Sequence, residues 1–231
     1  MFILQLIIII FLIFTIYNII EIQKFNKNGF IIELINLKEN NSEKIKDAIT
    51  LLNPILLIIK NETILYNDLI SNNLNYIMNN YSLKKVNDLE QIHIFKDKNI
   101  CEDLNLKEKI NFNLDIFENF YIPLLFNKKH YLSIFKGYNI IPLQFCKHNV
   151  NIIYILEGKI TLYLFNPKHK NVIINKNLES IKKYAHKYYL EKDNFFIIPP
   201  NWYYIQESND TVLQYYIESD NYFTALYNLI R

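Results

Sequence analysis

The chain has 231 residues, 51% of them hydrophobic and 15% aromatic, with a formal net charge of +2. Arg231 is the only arginine, and that balance excludes a basic nucleic-acid reader, which needs guanidinium forks for phosphate and guanine. Three glycines exclude a Gly-rich phosphate cradle, and two cysteines, Cys101 and Cys146, exclude a disulfide framework.

Met1–Ile20 is apolar on every face, interrupted only by Gln5, Thr15, Tyr17 and Asn18. A membrane span needs about 20 such residues, and no basic leader or small-residue cleavage site marks a signal peptide. The stretch 1–20 therefore reads as an uncleaved transmembrane anchor inserted through residues 2–20, and 21–29 as a polar tether ending at Gly29. Lys24 and Lys27 follow the span and no basic residue precedes it, which places the C-terminal domain in the cytosol.

Residues 30–125 read as an α/β lead-in to a domain covering 30–231. Phe30–Leu37 and Pro54–Ile59 are apolar strand candidates. Asn41–Leu52 and Tyr66–Tyr81 carry helical spacing, and Gln91–Phe95 alternates as a strand. His93 has no second ligand at metal spacing and reads as structural. Short helices are expected around Glu102–Lys109 and Leu114–Phe120.

The barrel, residues 130–218, begins at His130–Lys136 and turns at Gly137. Strand runs Ile140–Cys146, Asn151–Leu156 and Ile160–Phe165 follow, rich in β-branched and aromatic residues and punctuated by Gly158 and Pro167. Val172–Ile174 reads as a strand and Leu178–Tyr189 as an amphipathic helix. Phe195–Ile198, Trp202–Gln206 and Thr211–Glu218 close the barrel before a last helix carrying Phe223, Leu226, Tyr227 and Ile230. The lysines read as scattered over a solvated surface.

Pro142-Leu143, Asn151, Gly158, Leu164-Phe165-Asn166-Pro167, Ile198-Pro199-Pro200 and Trp202 together resemble the JmjC-like cupin domain of the Fe(II)/2-oxoglutarate hydroxylases. The resemblance implies a double-stranded β-helix. It also implies that the metal positions are Gln144, Cys146 and Tyr204, where the family has His, Asp and His, and that the cosubstrate lysine falls on Ile160. Lys159 is one residue off, on the opposite face of its strand. A neutral amide, one thiol and a phenol with a pKa near ~10 do not make an iron triad.

The fold expected is mainly β with an α/β lead-in: a double-stranded β-helix (cupin or jelly-roll) domain plus one N-terminal transmembrane helix. The function expected is that of a membrane-anchored, catalytically inactive structural or binding module. No cofactor is expected. The partners expected are the membrane and an unidentified protein or small molecule, with no nucleic acid. A pocket at the barrel mouth would use His148, Asn151, Tyr154, Ile160, Tyr163 and Trp202. A hydroxylase with rearranged ligands, such as His148 and Cys146 with a carboxylate, is the alternative, and a sugar-binding barrel a third. The heavy use of Ile, Asn, Lys, Tyr and Phe, all with AT-rich codons, suggests an AT-rich genome such as that of a giant DNA virus, and with it a virion or host-cell membrane.

Overall fold

The computed structural model describes residues 2–27, 33–34, 53–58, 66–78, 81–106, 125–174, 176–222 and 224–225. Helix α1 (Phe2–Lys27) runs through the apolar stretch and most of the expected tether. Its described side chains, Leu4 to Ile16, are largely exposed, Phe11 at 68%. That stretch alone is shorter than the ~20 residues a span requires. Among the described residues no helix is long and apolar enough to cross a membrane.

The lead-in contributes β1 (Glu33–Leu34), β2 (Ile55–Ile58), α2 (Tyr66–Asn72), β3 (Ile77–Met78), β4 (Tyr81–Ser82), α3 (Leu83–Asp88), β5 (Ile92–Asp97) and α4 (Asn99–Asp103). Ser82 starts α3 by accepting a hydrogen bond from the Lys85 amide. The helix expected over Tyr66–Tyr81 stops at Asn72, and a small hairpin of β3 and β4 takes its second half. Its Asn-rich centre, Asn72-Asn73, favours a turn over a further helical turn. The helices expected over Asn41–Leu52 and Leu114–Phe120, and nearly all of the last one, lie outside the described residues.

The barrel is built from β6 (Leu125–Lys136), β7 (Asn139–Phe145), β8 (Val150–Glu157), β9 (Lys159–Phe165), β10 (Ala185–Glu191), β11 (Asn194–Ile198), β12 (Tyr203–Ser208) and β13 (Val212–Asn221). One sheet has the order β1-β2-β11-β8-β13-β6-β5 and the other β10-β9-β12-β7. Numbered from β6, the eight barrel strands thus divide between the two sheets as first-eighth-third-sixth and second-seventh-fourth-fifth. That order is a double-stranded β-helix, or jelly roll. Two expectations fail between β9 and β10. Val172–Ile174 lies in a helix, α5 (Lys170–Ile174), and the helix expected over Leu178–Tyr189 ends at Lys182 as α6 (Leu178–Lys182). Ala185–Glu191 pairs with β9 instead: the barrel needs a fifth strand there, and tertiary pairing overrides the local helical spacing.

Three apolar clusters set the layers. Ile153, Ile155, Phe196, Ile198 and Tyr216 of the large sheet meet Ile141, Ile160, Leu162, Leu164 and Tyr204 of the small one inside the barrel. On the far face of the large sheet, Ile152, Tyr154, Tyr215 and Ile217 pack under Leu69, Leu83, Val86 and Ile100 of the lead-in. On the far face of the small sheet, Phe165, Tyr203 and Ile205 pack under Ile173 and Ile181 of α5 and α6. β8 is covered on both faces, which is why its sequence, V-N-I-I-Y-I-L-E, is nearly continuously apolar. At the β8–β9 turn Gly158 has φ +85, and a Cβ there would lie 2.2 Å from the Thr211 carbonyl oxygen.

Candidate functional site

The mouth of the barrel is where β7 ends and β8 and β12 begin. Tyr204 and Gln144 are Cα partners across β12 and β7. The Cys146 amide donates to the Trp202 carbonyl at 2.9 Å, and the Asn201 amide donates to the Cys146 carbonyl at 2.8 Å. Gln144, Cys146 and Tyr204 therefore lie together. A β-bulge precedes them, where the register passes from Tyr204↔Gln144 to Gln206↔Ile141. Pro142 sits in it, on an edge strand that needs no donor from it.

What the strands bring to this place is a network of buried charges. Lys96 comes from β5. Between the pairs Ile94↔Ile134 and Asp97↔Leu132, Phe95 and Lys96 oppose Ser133 alone, a bulge in which Lys96 takes φ 52. Its amide donates to the Ser133 hydroxyl oxygen at 2.7 Å. Its ammonium reaches Glu218 Oε1 at 2.5 Å and lies 5.2 Å from the centre of the Tyr216 ring. The other Glu218 oxygen is 3.1 Å from His148 Nε2, and His148 Nδ1 is 2.9 Å from Asp220 Oδ2. The order is Lys96–Glu218–His148–Asp220, with two cations and two carboxylates.

The electrostatics follow from burial and pairing. Burial opposes the charge on His148, but the hydrogen bonds to Asp220 and Glu218 outweigh it and raise the pKa to about 9. Burial opposes the charge on Glu218 as well, and His148 with Lys96 outweighs that and lowers it to about 2. Both directions describe an imidazolium donating from both ring nitrogens. Burial pushes the Cys146 thiol up to about 12, against the pull of Lys96. Burial likewise raises the Tyr204 phenol, again opposed by Lys96. Thiol and phenol are thus protonated at neutral pH. Cys146 Sγ lies 3.6 Å from the Ile198 carbonyl oxygen and 3.7 Å from that of His148.

Below the mouth the polar column continues. Gln214, Tyr216, Glu218 and Asp220 occupy alternate positions of β13 and so share its inner face. The Tyr216 oxygen is 2.8 Å from Gln206 Oε1 and 2.6 Å from Gln214 Oε1. A hydroxyl has one proton, so one of these contacts is satisfied when that glutamine turns its amide nitrogen toward the hydroxyl oxygen. Asn151 Nδ2 donates to the Tyr204 oxygen at 3.0 Å.

The candidate residues divide. His148, Asn151, Ile160 and Trp202 are buried, His148 and Asn151 at the mouth and Ile160 and Trp202 in the barrel core. Tyr154 and Tyr163 do not line the interior. Tyr154 points to the lead-in, packed on Phe195 at 6.1 Å, and Tyr163 points to the outer face of the small sheet under Lys182. Both are one strand position out of phase with the inward residues. Lys159 is exposed and reaches Glu191 at 3.7 Å, on the side away from Ile160. Gln144 is half-buried, and its amide donates to its own strand at the Pro142 carbonyl.

The residues present do not fit an iron and 2-oxoglutarate site. His148 has no ring lone pair left for a metal, since each nitrogen faces a carboxylate. Cys146 is protonated, and the ammonium of Lys96 already neutralises Glu218. Among the described residues no group of His, Cys, Asp and Glu is placed to hold a metal ion. Lys96, Glu218 and Asp220 escape the sequence reading. Gln214, Glu218 and Asp220, polar residues at even spacing in the run from Val212 to Asn221, are the signal for the last two, whereas Lys96 has none.

No family model matches the chain, and no curated protein matches it. Among solved structures it is similar to the cupin domain of Cnp3 from Schizosaccharomyces pombe, with 21% identity over 45% of this chain and 61% of that one and a TM-score of 0.32. It is also similar to a cupin superfamily protein from Desulfitobacterium hafniense, with 10% identity over 41% of this chain and 68% of that one and a TM-score of 0.31. The chain thus spans about three-fifths of the Cnp3 domain. The jelly-roll assignment rests on the strand order, and both neighbours are cupin proteins.

Proposed function

We propose that the protein is a membrane-anchored binding module whose cupin-like barrel, of JmjC-like descent, carries no catalytic iron. One observation carries this reading: the barrel mouth is cross-linked by Lys96, Glu218, His148 and Asp220, so the groups that would meet a metal are bonded to one another. Closing the mouth with paired charges fixes the barrel as a scaffold and leaves its outer surfaces for recognition. Fold alone does not set function, and a barrel of this kind serves binding as readily as chemistry. The anchor rests on Phe2–Ile20, apolar on every face, within a helix that continues to Lys27. Lys24 and Lys27 after the span favour a cytosolic domain, and the heavy use of residues with AT-rich codons fits a viral protein of a virion or host-cell membrane.

Full-length protein, purified anaerobically in detergent with Fe(II) and 2-oxoglutarate present, tests the absence of iron by mass spectrometry of metal content. The expected result is no stoichiometric metal. One iron per chain refutes the reading and returns the hydroxylase with rearranged ligands. Alkaline carbonate washing of membranes tests the anchor: the protein stays in the pellet, and release into the wash refutes it.

A further inference from the structure

The outer side of the small sheet carries charge that the barrel does not use. Between residues 168 and 192, Lys168, Lys170, Lys176, Lys183, Lys187 and Lys192 are all exposed, and the carboxylates in that stretch are Glu179 and Glu191. Glu179 is engaged by Lys182 at 2.6 Å, and Lys182 also binds Glu207 at 2.5 Å. Glu191 faces Lys159. The acids are thus matched, and three of the exposed lysines, Lys176, Lys183 and Lys187, are arranged around tyrosines. Lys187 lies 4.8 Å from the centre of the Tyr189 ring and 5.7 Å from that of Tyr163. Lys176 and Lys183 lie 5.4 and 5.2 Å from that of Tyr184, whose other neighbour is the His169 ring at 5.8 Å. These two lysines hold the Tyr184 phenol below its ordinary pKa, a local sign of the positive field. Within the same field stand two apolar side chains open to water, Ile174 at 55% and Tyr189 at 71% exposure.

We propose that this face, formed by α5, α6 and β10, docks on the anionic lipid headgroups of the membrane in which α1 sits. The proposal rests on the anchored reading above. Lysines attract the surface potential of an anionic leaflet, tyrosines settle at headgroup level, and Ile174 gains by leaving water for the acyl boundary. The same lysines without arginine suit a lipid surface better than a nucleic acid, whose readers depend on guanidinium forks. Five residues separate Lys27 from Glu33, at most roughly 20 Å of chain, so an anchored domain meets its own bilayer at high effective concentration.

The test uses the full chain with Tyr189→Cys carrying an environment-sensitive fluorophore, Cys101 and Cys146 being buried. It is reconstituted in vesicles of phosphatidylcholine alone or with phosphatidylserine. The expected result is flotation with both vesicles, and a blue shift with quenching by lipid-borne quenchers in phosphatidylserine only, weakening as salt rises. Each lysine at an anionic surface raises partitioning roughly fivefold. Joint Lys170→Glu, Lys176→Glu, Lys183→Glu and Lys187→Glu changes therefore abolish the shift while flotation and melting temperature stay. Ile174→Ser, which leaves every charge in place, reduces it. A probe that stays in water on phosphatidylserine vesicles while the protein floats overturns the docking and leaves the anchor standing. A protein that floats with neither vesicle refutes the anchor, and the docking with it. Binding of a single-stranded oligonucleotide, abolished by the charge reversals while the probe remains in water, overturns the proposal in favour of nucleic acid.

Discussion

His148 ties the stability of the barrel to pH in a window that its neighbours define. Its folded pKa of about 9 lies above the ordinary value of 6.5, because the imidazolium donates to Asp220 and Glu218. A group with a raised folded pKa contributes stability that is fully present below the unfolded value and is lost as pH rises through the folded one. Stability therefore falls between about pH 6.5 and about pH 9, and the full difference corresponds to about 3 kcal/mol. Glu218 works in the other direction. Its folded pKa is lowered to about 2, so its contribution is present above 4.5 and is lost as pH falls toward 2. The plateau lies between the two, near pH 5 to 6. For a chain of this length about 3 kcal/mol moves the melting temperature by roughly 6–12 °C. The assay is thermal unfolding of full-length protein in detergent from pH 5 to 10, beside His148→Gln, which keeps a hydrogen-bonding amide but cannot take up the proton. The difference between the two curves isolates this histidine from the other titrating groups. Melting curves whose pH dependence is the same with and without His148 refute the reasoning.

Lys96→Met leaves the Glu218 carboxylate buried with His148 as its remaining cation. The variant loses roughly 2–3 kcal/mol in urea unfolding, and adding Glu218→Gln recovers most of it; a double variant no more stable than the single one shows the pair is not coupled. Trp202→Ala removes a side chain that is 1% exposed beneath the barrel mouth and costs about 3–5 kcal/mol, read as a lower unfolding midpoint. Gly158→Ala costs about 2–4 kcal/mol through its φ and the Thr211 carbonyl. Gly137→Ala, where a Cβ lies 3.0 Å from the Glu90 carbonyl oxygen, costs less; the reverse order of melting temperatures refutes the geometric argument.

The barrel strands are legible in the sequence because burial on alternating or on both faces leaves a direct record in residue type. The runs Ile140–Cys146, Asn151–Leu156 and Ile160–Phe165 match β7, β8 and β9 within a residue or two. The turns at Gly137 and Gly158 are legible for the same local reason, since a positive φ asks for glycine. The proximity of Gln144, Cys146 and Tyr204 also follows from the sequence, through its resemblance to a known strand order. Ala185–Glu191 is not legible, because its spacing suits a helix and only the open edge of β9 makes it a strand. The faces of Tyr154 and Tyr163 depend on strand phase, and one residue reverses them. Lys96 is the clearest limit: it is far in sequence from Glu218, and a bulge in β5 turns it inward. The sequence by itself determined the strand runs and glycine turns of the barrel, since residue type and period are local properties, whereas the double-stranded β-helix and the metal positions at Gln144, Cys146 and Tyr204 were what its resemblance to JmjC-like cupins implied. Tertiary structure decided what stands in place of the metal, and which lysines gather on one face, because both are set by contacts between strands distant in the chain.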